Sequence, residues 1–401
     1  MLGLAYLAGL VTMWFFRSDL ERVVASLTSG SGVVAVEPAD PRKERAELLW
    51  EIWDILEREY IDPTAIQIDH MIHGAAAGMV ASLGDPPTVF VEPVSATILN
   101  DDMQGSFEGI GATVDMVEGR LVIVRPLPNS PALKAGLKAG DVILAVNGES
   151  LEAKSLMAAI SMIRGPRGTV VRLLVERKGV EGPFIVPVTR DKVELPIIET
   201  HTLEGHVAYL HLSEFNAVAP TKVRDALDEL LAQDPKGLIL DLRGNPGGFL
   251  QSAVEVAGEF LPRGTLILTE QERDKPIREF RVKRLGLATR VPLVVLVDGS
   301  SASASEIVAG AIQESKRGIL VGSKTYGKGS VQNTHSLRDG SSLRVTVAKW
   351  YLPSGRNLDG NGLDPDLPVE RTPEDVAAER DPQLDAAVAY LLSAEKVADA
   401  P

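Results

Sequence analysis

Three serines alternate with alanines at Ser301-Ala302-Ser303-Ala304-Ser305, just ahead of Glu306-Ile307, and a lysine follows between glycines at Thr325-Tyr326-Gly327-Lys328-Gly329. A hydroxyl at a strand-to-helix turn and an amine in a tight glycine loop are the two parts a serine nucleophile needs when no histidine serves it. On this reading Ser303 is the nucleophile and Lys328 its general base. A lysine works as a base near neutral pH only if its pKa falls, through desolvation or a neighbouring positive charge. The plain alternatives are a serine that merely caps a helix, with Glu306 completing a capping box from Ser303, and a solvated surface lysine. A phosphate loop does not fit. Gly322 to Lys328 continues with Gly329, so the hydroxyl that would hold magnesium is displaced to Ser330.

These groups need rigid elements to hold them. Residues 291–297 form a β-branched and leucine run, read as a strand buried on both faces and closed by Asp298-Gly299-Ser300. The helical stripe Ile307, Val308, Ala311, Ile312 predicts a helix over 306–314. Ser303 then lies near a helix N-terminus, where unpaired N–H groups and the macrodipole favour developing negative charge. Residues 318–322 read as another buried strand entering the lysine loop. Upstream, 237–243 read as a strand, and Gly244-Asn245-Pro246-Gly247-Gly248 as a tight turn opening a helix over 249–260. Amides of that turn, at Gly247 or Gly248, can join the Ala304 N–H in an oxyanion hole; a plain glycine turn is the alternative. With a strand at 206–212 and a helix at 221–231, the alternation implies βαβ crossovers and a parallel or mixed sheet under helices. A longer β segment over 342–352 and a helix over 381–393 complete this part.

Composition agrees. A chain of 401 residues holds two or three domains with real cores. Its 45% hydrophobic and 24% charged content describes a soluble globular protein rather than a disordered one. A net charge of −14 argues against a nucleic-acid partner. The absence of cysteine removes thiol nucleophiles, disulfides and zinc–cysteine sites. The six histidines, His70, His73, His201, His206, His211 and His335, form no metal-binding spacing, so no metal and no cofactor is expected. His335 alone lies near the dyad segments and is the rival base for Ser303.

Met1 to Phe16 is apolar apart from Tyr6 and Thr12, and ends at Arg17. It is shorter than a spanning helix prefers and lacks a positive leading region. It is read as a signal or membrane-anchor segment over 1–28, detached by a linker over 29–43. Periodic apolar residues then predict an amphipathic helix over 46–60 and a second over 66–83. Trp50 and Trp53 are expected in a core, a dimer surface being the alternative.

The motif set 241–248, 301–307, 325–329 with Gln332, and Ala348-Lys349-Trp350-Tyr351-Leu352-Pro353-Ser354-Gly355-Arg356 resembles the carboxyl-terminal processing peptidases, or tail-specific proteases. The resemblance runs from about Glu44 to Ala394. It implies Ser303 as nucleophile, Lys328 as base, Gln332 as an orienting amide, and oxyanion donors from Ala304 and the Gly247-Gly248 turn. Many relatives have Asp-Pro-His-Ser where this chain reads Asp85-Pro86-Pro87-Thr88. Residues 106–191 resemble a PDZ domain, with Gly109-Ile110-Gly111-Ala112 as its carboxylate loop and 155–163 as its groove helix; glycine-flanked amides can hold a carboxylate while the peptide adds as an edge strand. The family also implies gating through Arg164. The fold class expected is therefore multidomain α/β: an N-terminal helical region (44–105), an inserted PDZ domain (106–191), a peptidase core resembling the crotonase and Clp-protease α/β sandwich (192–371), and a C-terminal tail with a helix (372–401). The function implied is a serine endopeptidase that takes apolar carboxyl-terminal tails of proteins as substrates, in the periplasm or anchored to the inner membrane, as a homo-oligomer with a possible adaptor. The alternative is a non-catalytic PDZ-containing binding or scaffold protein.

Overall fold

The computed structural model describes residues 40–398. The expected signal or anchor segment and most of the expected linker lie outside the described residues. Helix α1 (Pro41–Glu59) starts at the N-cap Asp40, whose side chain accepts from the Arg42 N–H, and it buries none of its residues. The expectation of a core position for Trp50 and Trp53 is corrected: Trp50 is 60% exposed and Trp53 is half-buried, its indole N–H donating to Glu57. An amphipathic stripe is buried only against a second apolar face. Helix α2 (Ile68–Ala81) follows, and a second compact unit begins at His73.

In that unit β1 (Val89–Val91) and α3 (Pro93–Met103) precede a β-rich insertion. It opens with β2 (Ser106–Gly109), continues through β3 (Ala112–Val117), β4 (Arg120–Pro126), α4 (Pro131–Lys134), β5 (Val142–Val146), β6 (Glu149–Ser150), α5 (Leu156–Ile163), β7 (Val170–Glu176) and β8 (Phe184–Thr189), and returns by β9 (Asp191–Glu194) to pair antiparallel with β2. Its sheet runs β3-β4-β5-β7-β8, with β6 beside β5. Alternate residues of β7 (Val171, Leu173, Val175) are buried with Leu121, Ile123 and Ile143 in a core of their own, as expected of an antiparallel sheet with one solvated face.

The rest of the unit is α/β. Strands β10 (Ile198–Leu203) and β11 (Val207–Leu212), helix α6 (Ala219–Leu231), β12 (Gly237–Asp241), α7 (Leu250–Phe260), β13 (Leu266–Glu272), β14 (Arg278–Arg281), β15 (Leu293–Val297), α8 (Ala304–Glu314) and β16 (Ile319–Gly322) carry the chain to a hairpin of β17 (Ser330–Ser336) and β18 (Ser342–Tyr351). Strand β19 (Leu367–Pro368), α9 (Pro373–Ala377) and α10 (Pro382–Ala398) finish it. One sheet has the order β10-β11-β12-β15-β16-β19 and is parallel from β11 onward. Its central strands are apolar on both sides because both sides are covered: Leu240 and Val295 face a core shared with α6, α7 and α8, while Ile239, Val294 and Leu296 face the side where Ala387 and Leu391 of α10 pack. A second, antiparallel sheet joins β18 to β1, β13 and β17, with β14 beyond β13; its Trp350 and Leu268 enter the same core as α8. Since β1 pairs with β18, the chain leaves this core after α3 and comes back at β10, so the β-rich body is an insertion.

Leu240 is completely buried at the centre of this sheet. Leu240→Ala is expected to destabilise the protein by about 2–5 kcal/mol, measured by denaturant unfolding.

Candidate active site

Three parallel strands, β12, β15 and β16, end at one edge of the sheet, and each delivers a loop there: 242–248, 298–303 and 323–329. The carboxyl ends of parallel strands are where α/β sheets bind ligands. The first two loops are sewn together by hydrogen bonds. The Ser301 hydroxyl donates to Leu242 O at 2.8 Å, the Ser305 hydroxyl to Asn245 O at 2.9 Å, and the Ala302 N–H to Asn245 O at 3.1 Å. Asp298 accepts from the Gly244 N–H at 3.1 Å.

Two of the three alternating serines are thus spent on backbone carbonyls and fully buried. Ser303 differs. It is half-buried and lines a cleft of about 830 Å³ together with Ala304, Gly247, Gly248, Lys328 and Gln332. It is the N-cap of α8 at φ 54°, ψ −110°, a conformation uncommon for a residue with a side chain. Ser303 and Glu306 stand in a capping-box arrangement, in which the Ser303 N–H donates to Glu306 Oε2 at 2.8 Å. The capping and nucleophile readings of this serine are therefore compatible.

The Gly247-Gly248 turn meets Ser303 directly. A side-chain carbon on Gly247, which has φ +104°, would lie 2.9 Å from Ser303 Cβ and 3.0 Å from the Ala304 nitrogen. Gly248, at φ +145°, forms a parallel bridge with Phe215, whose carbonyl oxygen lies 2.4 Å from where a Cβ would stand. The Gly247 N–H is already given to Asn245 Oδ1 at 2.9 Å. Among the described residues the Gly248 and Ala304 N–H groups meet no acceptor, and both residues line the cleft.

The lysine loop is pinned from several sides. The Trp350 indole N–H donates to Lys328 O at 3.1 Å, the Gly360 N–H to Gly327 O at 3.0 Å, and Asn357 Nδ2 to Gly329 O at 3.0 Å. Lys328 is half-buried. Burial pushes its amine below the ordinary lysine pKa, the Arg344 charge adds to that push, and Asp85 opposes it. The Asp85-Pro86-Pro87-Thr88 segment thus reaches the site: Thr88 Oγ1 donates to Asp85 Oδ2 at 2.5 Å and accepts from the Thr346 N–H at 3.0 Å. Gln332 Nε2 donates to Ser330 Oγ at 2.9 Å and Thr346 Oγ1 at 3.3 Å. Among the described residues no hydrogen bond joins Lys328 Nζ to Ser303 or to Gln332. His335, the rival base, is exposed on β17 and does not line the cleft.

In the insertion, Gly109, Ile110, Gly111 and Ala112 form the link from β2 to β3. The Ile110 and Gly111 carbonyls are anchored by the Ala132 and Leu127 N–H groups at 2.7 and 3.0 Å, and Gly111 has φ +70° with Ser130 packed against it. Among the described residues the Ile110 and Gly111 N–H groups have no acceptor. Arg164, the C-cap of α5, lies over the Phe107 ring at 4.0 Å and donates to Asp102 Oδ1 at 2.8 Å; Asp102 lines the cleft that holds Ser303.

The profile of peptidase family S41 matches residues 206–369, and that of the PDZ domain matches 122–177. The chain is 36% identical over 323 residues to a carboxy-terminal-processing protease of Bartonella bacilliformis, covering 79% of this chain and 74% of that one. The chain belongs to peptidase family S41. This S41 peptidase is also 32% identical over 361 residues to the carboxy-terminal processing protease CtpA of Bacillus subtilis, covering 89% of this chain and 77% of that one. Its fold resembles a solved Bacteroides fragilis protein assigned to the S41 proteases, at 18% identity and a TM-score of 0.53, covering 85% of this chain and 96% of that one. It is a serine endopeptidase of the tail-specific group, whose inserted PDZ domain recognises carboxyl-terminal tails.

Glu306 entered the sequence reading only as a capping partner. The available signal is a carboxylate on the otherwise apolar face of a helix beginning beside the candidate nucleophile. Gly247→Ala in this S41 peptidase is expected to push the Ser303 turn out of place and to lower kcat on a tail peptide by about 100-fold or more, with the circular dichroism spectrum retained.

Proposed function

We propose that Ser303 attacks the scissile carbonyl while Lys328 Nζ takes the Ser303 Oγ proton. The oxyanion that forms is held by the Ala304 and Gly248 N–H groups, Gly247 shaping the turn rather than donating. The C–N bond then breaks, the leaving amine takes the proton from Lys328, and water hydrolyses the ester on Ser303 with Lys328 again as base. The observation that carries this reading is that one serine of three shares the cleft with a desolvated lysine. Gln332 orients the lysine when the site closes; its present bonds to Ser330 and Thr346, and the unmade Ser303–Lys328 bond, suit a resting arrangement that tightens with substrate. The Gly109-Ile110-Gly111-Ala112 loop holds the tail carboxylate on its unused amides, and Arg164 passes occupancy of the groove to the cleft through Asp102.

The same reading assigns 44–105 to the helical region, 106–191 to the PDZ domain, 192–371 to a crotonase-like peptidase core and 372–401 to the tail. The bare apolar stripe of α1 supports a homo-oligomer, with or without an adaptor. Family membership supports work outside the cytoplasm, with residues 1–28 as signal or anchor.

Ser303→Ala is expected to abolish cleavage of an unstructured apolar-tailed protein while tail binding, followed by fluorescence anisotropy, is kept. Unchanged turnover in Ser303→Ala would refute Ser303 as the nucleophile, whereas no labelling of the wild type by a covalent serine probe with peptide present would favour the scaffold alternative. The rate should climb with pH along a limb set by loss of the Lys328 proton, below the usual lysine range. Arg344→Gln removes a repelling charge and should move that limb to higher pH; Asp85→Asn removes an attracting one and should move it lower. Arg164→Ala is expected to abolish stimulation by added tail peptide; stimulation as in the wild type would discard the gating role.

A further inference from the structure

We propose that Glu306 is a positioning residue for both reacting groups, a single buried carboxylate that ties the nucleophile turn to the lysine loop. Its side chain has no exposed surface. Oε2 accepts from the Ser303 N–H at 2.8 Å and from the Lys328 N–H at 2.9 Å. Oε1 accepts from the Thr325 hydroxyl at 2.6 Å and from the Gly327 N–H at 2.7 Å. One oxygen therefore joins the backbone of the nucleophile to the backbone of the base across the gap between two loops, and the other fastens the residues leading into that base. Thr325 Oγ1 in turn accepts from the Leu363 N–H at 2.7 Å, which fixes the direction in which its hydroxyl donates.

Among the described residues no cation pairs with Glu306, so its charge is met by four donors and by the N-terminus of its own helix. An apolar residue would fill this buried position at less cost in desolvation; what it could not do is accept four donors from two loops. The arrangement also decides which amides face the cleft. Because the Ser303 N–H is taken by Glu306, the next N–H, that of Ala304, is the first left free, beside that of Gly248.

This inference rests on Ser303 and Lys328 as the reacting pair, and the test separates the two. Glu306→Gln in the full-length protein keeps the shape but sets an NH2 against two N–H or O–H donors whichever way the amide turns. The expected result is a fall in kcat on a tail peptide on the order of 100-fold, with KM and tail-peptide binding unchanged. The rising limb of the pH profile should also move to higher pH as the loosened Lys328 regains water. Wild-type kcat and an unmoved limb in Glu306→Gln, with Ser303→Ala inactive, would overturn the proposal while leaving the active-site assignment standing; an active Ser303→Ala would remove both. If Glu306→Gln does not fold, the pair Thr325→Val and Thr325→Ser replaces it: kcat is expected to drop in the valine variant and return in the serine one, and equal rates in the two would refute the role.

Discussion

A carboxylate without exposed surface and, among the described residues, without a cationic partner is costly, and here it sits where β15 and β16 deliver their loops. Glu306 joins them through hydrogen bonds to charge, which are stronger than neutral ones. The serine it holds needs such support. A non-glycine residue at φ 54° carries strain of about 1–3 kcal/mol, and strained backbone persists only where the surroundings over-determine it. The Ser301 and Ser305 hydroxyls, Asn245 and Asp298 supply the rest by lacing the turn to the neighbouring strand's loop. The parallel sheet is what makes this possible, since only co-directional strands end together at one edge.

The lysine depends on the second sheet. A cleft walled only by the parallel sheet and its helices would leave an amine at 328 open to water. Strand β18 brings Trp350 under the loop and Arg344 beside it, and the Asp85–Thr88 segment is bonded to the same strand at Thr346. Burial and one positive neighbour work in the same direction on the amine, and one acidic neighbour works against them. The proton affinity of Lys328 thus depends on groups from two distant stretches of chain, β18 and the segment around Asp85. The N-terminal segment around residue 85 is as much part of the site as the glycine loop itself.

The parallel half of the fold was readable because its strands are buried on both faces and so appear as unbroken apolar runs. Residues 291–297 were assigned as a strand and β15 is Leu293–Val297; the helices over 249–260 and 306–314 emerged as Leu250–Phe260 and Ala304–Glu314. Of the antiparallel half only the segment over 342–352 was, and it is β18 (Ser342–Tyr351). Strand β17, with Ser330, Gln332, Asn333 and Thr334, has no apolar alternation to betray it, and β14 is rich in arginine. Residue types and spacing singled out Ser303 and Lys328 as candidates and gave Glu306 its local capping partner, but only the folded turn tells the Gly247 amide, taken by Asn245, from that of Gly248, and the other partners of Glu306 (Thr325, Gly327 and Lys328) lie about one strand and one loop away with no local trace. Trp50 failed as a core residue because periodicity reports that a stripe exists, not what covers it.

The left-handed backbone at position 303 has an evolutionary side. Threonine is the other aliphatic hydroxyl the genetic code offers and in solution a comparable nucleophile, yet a β-branched side chain is a genuine outlier at positive φ. The mildest chemical exchange is closed by conformation rather than by reactivity. With Ser303 as the proposed nucleophile, a change away from serine at this turn has no half-active intermediate, and it would leave only what the tail-reading module can do alone.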